Sequence, residues 1–240
     1  MDRRGYLLLG VTALCGGLTS GWREIEPSGV VGGARTTTGL LSLASLDGRT
    51  DPYFDADPAQ FSGDSDTTTA TFESGGGFTM VLATHDGDGE FTVTSTEPGE
   101  SPTTLVDVSG PGTYLTGVPA ATLTYDLEIT ASGPWALTLA QPDSPADEIR
   151  EPPAEAGGTG SAIVGPLDTR KGALVSAVHD GDSEFTVRLG LEAGTGVFRP
   201  ETMFEETGPV DADARTATAG VVWVVVDATG SWTLTFETER

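Results

Sequence analysis

Apolar and polar residues alternate with a period of two in several runs between residues 91 and 139. Phe91 and Val93 alternate with Thr92 and Thr94; Tyr125, Leu127 and Ile129 with Asp126, Glu128 and Thr130; Trp135, Leu137 and Leu139 with Ala136 and Thr138. Successive side chains of a strand point to opposite faces, so each run predicts a half-buried β-strand. Segments Thr67 to Glu73, Phe78 to Thr84 and Thr103 to Val108 add three more, all bounded by Gly, Pro or Asp. No ten-residue helical stripe intervenes. The last sixty residues repeat the scheme through Val222, Val224 and Val226 and then Trp232, Leu234 and Phe236.

The repetition is literal in places. His85-Asp86-Gly87-Asp88-Gly89-Glu90-Phe91-Thr92-Val93 returns as His179-Asp180-Gly181-Asp182-Ser183-Glu184-Phe185-Thr186-Val187. Pro102, Leu105, Gly110 and Pro111 align with Pro200, Met203, Gly208 and Pro209 after a small insertion that follows Val187. Ala131, Gly133, Trp135, Leu137 and Thr138 align with Ala228, Gly230, Trp232, Leu234 and Thr235. Colinear matches at a spacing of about a hundred residues mark a duplicated domain, since solenoid and propeller units are much shorter. Six to eight short strands per copy, joined by turns, predict an all-β chain of two tandem antiparallel β-sandwich domains, jelly-roll or Ig-like, related by internal duplication. The boundaries read as 61–141 and 158–240, with a Pro/Gly/acidic linker at 142–157.

The two copies differ in one instructive strand. Copy one presents Thr124, Asp126 and Glu128 on its outward side, where copy two has Val221, Trp223 and Val225. A strand that is apolar on both faces must be covered. The candidates for the cover are copy one, the leucine-bearing segment from Thr38 to Leu46, a partner protein, or the strand's own module.

Composition changes the picture next. The 240 residues carry 36 Asp+Glu against 12 Lys+Arg, a formal net charge of −24, with a single Lys at Lys171 and no Asn. Binding nucleic acid needs clustered cations that displace counterions from phosphates, so that partner is excluded. Without Asn there is no N-glycosylation acceptor. The dispersed acidity resembles that of proteins from extreme halophiles. Their self-repulsion is tolerable in molar salt because screening there acts over a few ångströms.

The first twenty-two residues read as an export signal: Arg3-Arg4, then an apolar run from Gly5 to Leu14 that is too short to span a bilayer. Arg3-Arg4 with Tyr6-Leu7 resembles a twin-arginine signal. Cys15, the only cysteine, resembles the lipid-accepting cysteine of a prokaryotic lipoprotein, although Thr12 and Leu14 depart from the usual residues before it. Residues 23–60 would then be a tether. These features predict a secreted or lipid-anchored protein at the outer face of the cell membrane, touching the bilayer only through its anchor.

Both copies also resemble a small β-sandwich module common in secreted and lipid-anchored proteins of halophilic archaea and some high-GC bacteria. The shared pattern is a His-x-Gly turn leading into Phe-x-Val, a Gly-Pro turn, and Ala-x-Gly-x-Trp-x-Leu. Glu90 and Glu184 stand where the family often has Asn. The resemblance implies fold and location, and no activity.

Candidate chemistry is sparse. Asp86, Asp88 and Glu90, with Asp180, Asp182 and Glu184 in the second copy, have the clustered oxygens that Ca²⁺ takes. Asp-Gly is equally a hairpin pair, and Phe91 and Phe185 fall where a calcium-binding loop of the EF-hand type needs Gly. The pattern therefore favours a structural turn, with calcium as the alternative and no other cofactor. His85 and His179 are in phase with Val81 and Ala83, or Val175 and Ala177, as strand-end histidines hydrogen-bonded to the turn. Trp135 and Trp232 are in phase with core leucines rather than placed as sugar platforms. No nucleophile elbow is present. The reading is a non-enzymatic surface structural or interaction protein whose partner is a protein or glycan of the envelope. The alternative is an extracellular glycan- or ligand-binding module.

Overall fold

The computed structural model describes residues 58–64, 66–193 and 200–239. The export signal, Cys15 and the Thr38 to Leu46 segment lie outside the described residues. Among the described residues sixteen strands follow one another. The first eight are β1 (Ala59–Gly63), β2 (Asp66–Glu73), β3 (Gly77–His85), β4 (Glu90–Thr96), β5 (Thr103–Ser109), β6 (Gly112–Ala120), β7 (Thr124–Ala131) and β8 (Trp135–Ala140). The second eight are β9 (Ala154–Thr159), β10 (Ala162–Asp168), β11 (Ala173–His179), β12 (Glu184–Leu191), β13 (Glu201–Thr207), β14 (Val210–Arg215), β15 (Val221–Asp227) and β16 (Ser231–Thr238).

They form four four-stranded sheets, and every pairing between strands is antiparallel. Sheet I runs β1-β8-β3-β6, sheet II β2-β7-β4-β5, sheet III β10-β15-β12-β13 and sheet IV β9-β16-β11-β14. Adding eight to each strand of sheets I and II reproduces the order of IV and III. Each half is therefore an eight-stranded jelly roll, with first strand beside last and second beside seventh. The chain is an all-β tandem of two duplicated sandwiches, as its patterning predicts, with the jelly-roll order rather than the Ig order. Equivalence extends to register: His85 pairs with Trp135, and His179 with Trp232. A bulge interrupts the β4–β5 pairing after Val93 and the β12–β13 pairing after Val187.

Each jelly roll encloses its own core. Phe91, Val93, Leu127, Ile129, Trp135 and Leu137 lie between sheets I and II. Phe185, Val187, Val224, Trp232, Leu234 and Phe236 lie between sheets III and IV. A third cluster joins the halves: Phe78, Met80, Leu82 and Leu115 of sheet I pack against Ile163, Trp223 and Val225 of sheet III. The sheets thus stack in the order II, I, III, IV, and β3 and β8 in the inner pair are buried on both faces.

The strands also begin earlier than the periodicity indicates. β1 starts at Ala59, and β9 at Ala154, inside the stretch read as linker, where it pairs with β16. What precedes β9 is pinned rather than free. Arg150 donates its N–H to the Pro166 carbonyl at 3.1 Å and accepts from Asp168 N–H at 2.7 Å. It thereby lines the edge of β10 where Pro166 and a register shift break the ladder.

Candidate functional site

The acidic turns do not converge into a binding site. Asp86, Asp88 and Glu90 are exposed, as are Asp180, Asp182 and Glu184. Among the described residues no three of His, Cys, Asp and Glu come together as a metal site. The bonds these carboxylates make explain why. Glu90 Oε1 accepts from the Thr92 hydroxyl at 3.2 Å, and Glu184 Oε1 from Thr186 at 3.3 Å, each along its own strand. Asp180 Oδ1 accepts the Ser231 N–H at 2.6 Å, tying the turn to the start of β16.

The histidines beside these turns are interior parts of the fold. His85 and His179 are buried, and their rings stack on Phe91 and Phe185 with centroids 4.9 and 4.6 Å apart. Each donates from Nδ1 to a carbonyl, Gly110 at 3.0 Å and Gly208 at 3.1 Å, in the turn that follows β5 or β13 rather than in the adjoining acidic turn. A carbonyl only accepts, so Nδ1 carries the proton. The adjoining turn needs glycine for a steric reason. A β-carbon on Gly87 would lie 2.6 Å from His85 Nε2, and one on Gly181 the same distance from His179 Nε2. Trp135 and Trp232 are buried core side chains.

Val221, Trp223 and Val225 separate. Trp223 is fully buried and Val225 nearly so, both against the first jelly roll, while Val221 is half-buried at the start of β15. Phe78 of β3 lies parallel to the Trp223 indole, with centroids 6.3 Å apart and planes within 3°. Two glycines make room for it. A β-carbon on Gly117 of β6 would come within 2.2 Å of Phe78 Cζ, and one on Gly190 of β12 within 2.2 Å of its Cδ2. Glu192 then clamps the junction. Its Oε2 accepts the Trp223 Nε1–H at 2.7 Å, and its Oε1 the N–H of Ser144 at 3.0 Å. Its carbonyl accepts the Phe78 N–H at 3.4 Å, and its N–H donates to Val221 at 2.8 Å. One residue thus holds both modules and the segment between them. Neither Glu192 nor the two glycines stand out in the sequence.

A cavity of about 390 Å³ opens at one end of the first sandwich. Its floor is apolar, with Phe72, Leu127 and Leu139 buried in the core. Thr79, only 1% exposed, lines it with a hydroxyl that has no hydrogen-bond partner among the described residues. At the rim stand Glu97, the exposed Thr103 and Thr104, and two residues of the second module, Arg188 and Pro200. The Tyr125 hydroxyl donates to Glu97 Oε1 at 3.3 Å and accepts the Ala121 N–H at 2.6 Å. Burial raises the Tyr125 phenol above its ordinary pKa. The Ala121 N–H acts in the opposite direction, and the Glu97 carboxylate adds to the rise. It stays protonated at neutral pH.

No family model matches the chain, and no curated protein matches it. Among solved structures, a similar chain is the vicilin of hazelnut, Corylus avellana. It is 13% identical, with a TM-score of 0.22, over 75% of this chain and 74% of that one. A likeness so slight bears on nothing beyond itself, and the fold stands on its own strand order. Among the described residues no helix is long and apolar enough to cross a membrane.

Proposed function

We propose that this chain is a non-enzymatic structural or interaction element, exported and tethered by lipid at Cys15, which holds two jelly rolls as one unit at the cell surface of a salt-adapted organism. The observation that supports this reading is the closed junction at Phe78 and Trp223, which turns two modules into a single four-sheet stack. A display element benefits from such stiffness, because a rigid body presents its outer faces without the entropy of a free hinge. Those faces are polar. Thr67, Thr69, Thr124, Asp126 and Glu128 cover sheet II, and Glu155, Asp211 and Asp213 lie on sheet IV.

The experiment is cross-linking on intact cells that carry the full chain, followed by purification through it. A discrete envelope protein recovered with the wild type, and lost when Asp126 and Glu128 are replaced by Lys, supports the reading. Recovery of no discrete partner, or release of wild-type and Cys15→Ser chains to the medium alike, overturns it.

A further inference from the structure

We infer that the cavity in the first jelly roll binds a small amphiphile, an apolar body with one anionic head, and that Arg188 receives the head. The proposal concerns the cavity alone and stands whether or not the surface role holds.

The duplication supplies the first argument. Leu139 pairs with Val81 in the first copy, and Phe236 pairs with the equivalent Val175 in the second. Ser95 pairs with Leu127, and Leu189 with the equivalent Val224. At these two cavity positions the second copy therefore carries Phe and Leu where the first carries Leu and Ser, and both larger side chains are fully buried. At the lining positions Leu127 and Tyr125 the second copy carries the smaller Val224 and Val222, so the room peculiar to the first module lies beside Ser95 and Leu139. An open apolar space of this size, with a few polar groups at its rim, is the ordinary form of a small-molecule site.

The second argument is charge. Arg188 reaches the rim from β12 of the other module, and its buried Nε has no hydrogen-bond partner among the described residues. In a chain with 36 Asp and Glu it makes no ion pair among the described residues. A part-buried cation left alone is unfavourable until an anion meets it, and a guanidinium suits a carboxylate. The net charge of −24 repels anions from afar, but molar salt screens that repulsion beyond a few ångströms and leaves the short contact. Glu97 stands on the same rim, hydrogen-bonded to Tyr125, and is the group that would favour a cationic head instead.

Octanoate, 1-octanol and octylammonium share one chain length and differ in head charge, so titrating each into the full-length protein in molar NaCl by calorimetry tests both arguments. Octanoate is expected to bind one to one. Octanol should bind at least about tenfold more weakly, as should octanoate to Arg188→Gln, because a hydrogen bond to a charged group is lost. Each methylene removed from octanoate should weaken binding roughly fourfold. Ser95→Leu combined with Leu139→Phe, which copies the second module, should abolish binding without lowering the melting temperature. Absence of saturable octanoate binding at millimolar concentration overturns the proposal. So does equal binding of octanol, tightest binding of octylammonium, or undiminished octanoate binding by the folded double variant.

Discussion

Phe78 and Trp223 show how much of the molecule rests on single side chains that face out of their own modules. Both are almost wholly buried, and each lies on the side of its sheet remote from that module's core. Truncating either to Ala should cost about 3–5 kcal/mol, the usual range for a large buried aromatic, seen as a lower denaturation midpoint. Gly190→Val probes the same contact from the opposite direction. Its new side chain meets Phe78, and the overpacking should cost about 1–3 kcal/mol in the same measurement. Asp168 carries a different prediction. Its carboxylate is buried and accepts from Arg170 Nε at 2.9 Å, which holds its pKa below the ordinary carboxylate value. A lowered folded pKa means that stability is present above the unfolded value of about 4 and is lost as pH falls through the folded one. Asp168→Asn should therefore lower the melting temperature at neutral pH and narrow its gap from the wild type in acid, read from melts across the acid range. Equal loss at every pH would show that the ion pair is not the cause.

Strands were legible in the sequence where large apolar residues alternate with small or polar ones, even in β8, whose two faces are both buried. β4, β7 and β8 announce themselves by alternation. β6 does not, because Gly117 and Pro119 break its pattern, and β9 hides its pairing in the small residues Ala-Glu-Ala-Gly-Gly-Thr. The double-sided apolarity of β15 was visible, and its demand for a cover is met in the structure by β3 and β6 of the first copy. The choice among covers was not legible, since Phe78, Met80 and Leu82 read equally well as one half of an ordinary strand. The cavity left a faint signal in the size mismatch of Leu139 against Phe236, next to the matched Leu137-Thr138, and in that of Ser95 against Leu189, which shows once pairing registers align the copies across the insertion. Exchange of whole strand faces tests the junction. Giving β15 the outward residues of β7, as Val221→Thr, Trp223→Asp and Val225→Glu, should uncouple the modules while leaving each core intact. Calorimetry should then show two transitions in place of one, and proteolysis should cut near Ser144, whose N–H is bonded to Glu192 in the intact stack. A single unchanged transition would mean that the third cluster contributes little.

Across the whole molecule the junction joins unlike surfaces, the sheet I face of one module to the sheet III face of the other, and such a contact can in principle repeat without end. Substitution makes both outer faces less apolar than those at the junction. The outer face of β11 carries Leu174, Ser176 and a 52% exposed Val178 where β3 has Met80, Leu82 and Thr84, while β7 keeps Thr124, Asp126 and Glu128. The stack ends in faces that solvent accepts, as terminal repeats of longer arrays do. Asp126, Glu128, Glu155, Asp211 and Asp213 lie on those faces as part of an acidity spread along the whole chain, and the 12 Lys+Arg are too few to balance 36 Asp+Glu. Pairs such as Lys171 with Glu151 and Arg215 with Glu239 are exposed and contribute little. In dilute buffer the unbalanced carboxylates repel across roughly 10 Å, whereas molar salt shortens that reach to about 3 Å. Folding concentrates the charge, so repulsion weighs on the native state more than on the open chain. Dilution from molar NaCl should therefore lower the melting temperature steadily. Because the effect is ionic, choline chloride should restore it as well as NaCl at equal strength. A melt that ignores dilution would show that burial in the three apolar clusters already outweighs the charge, and the salt-adapted reading of the composition would fall.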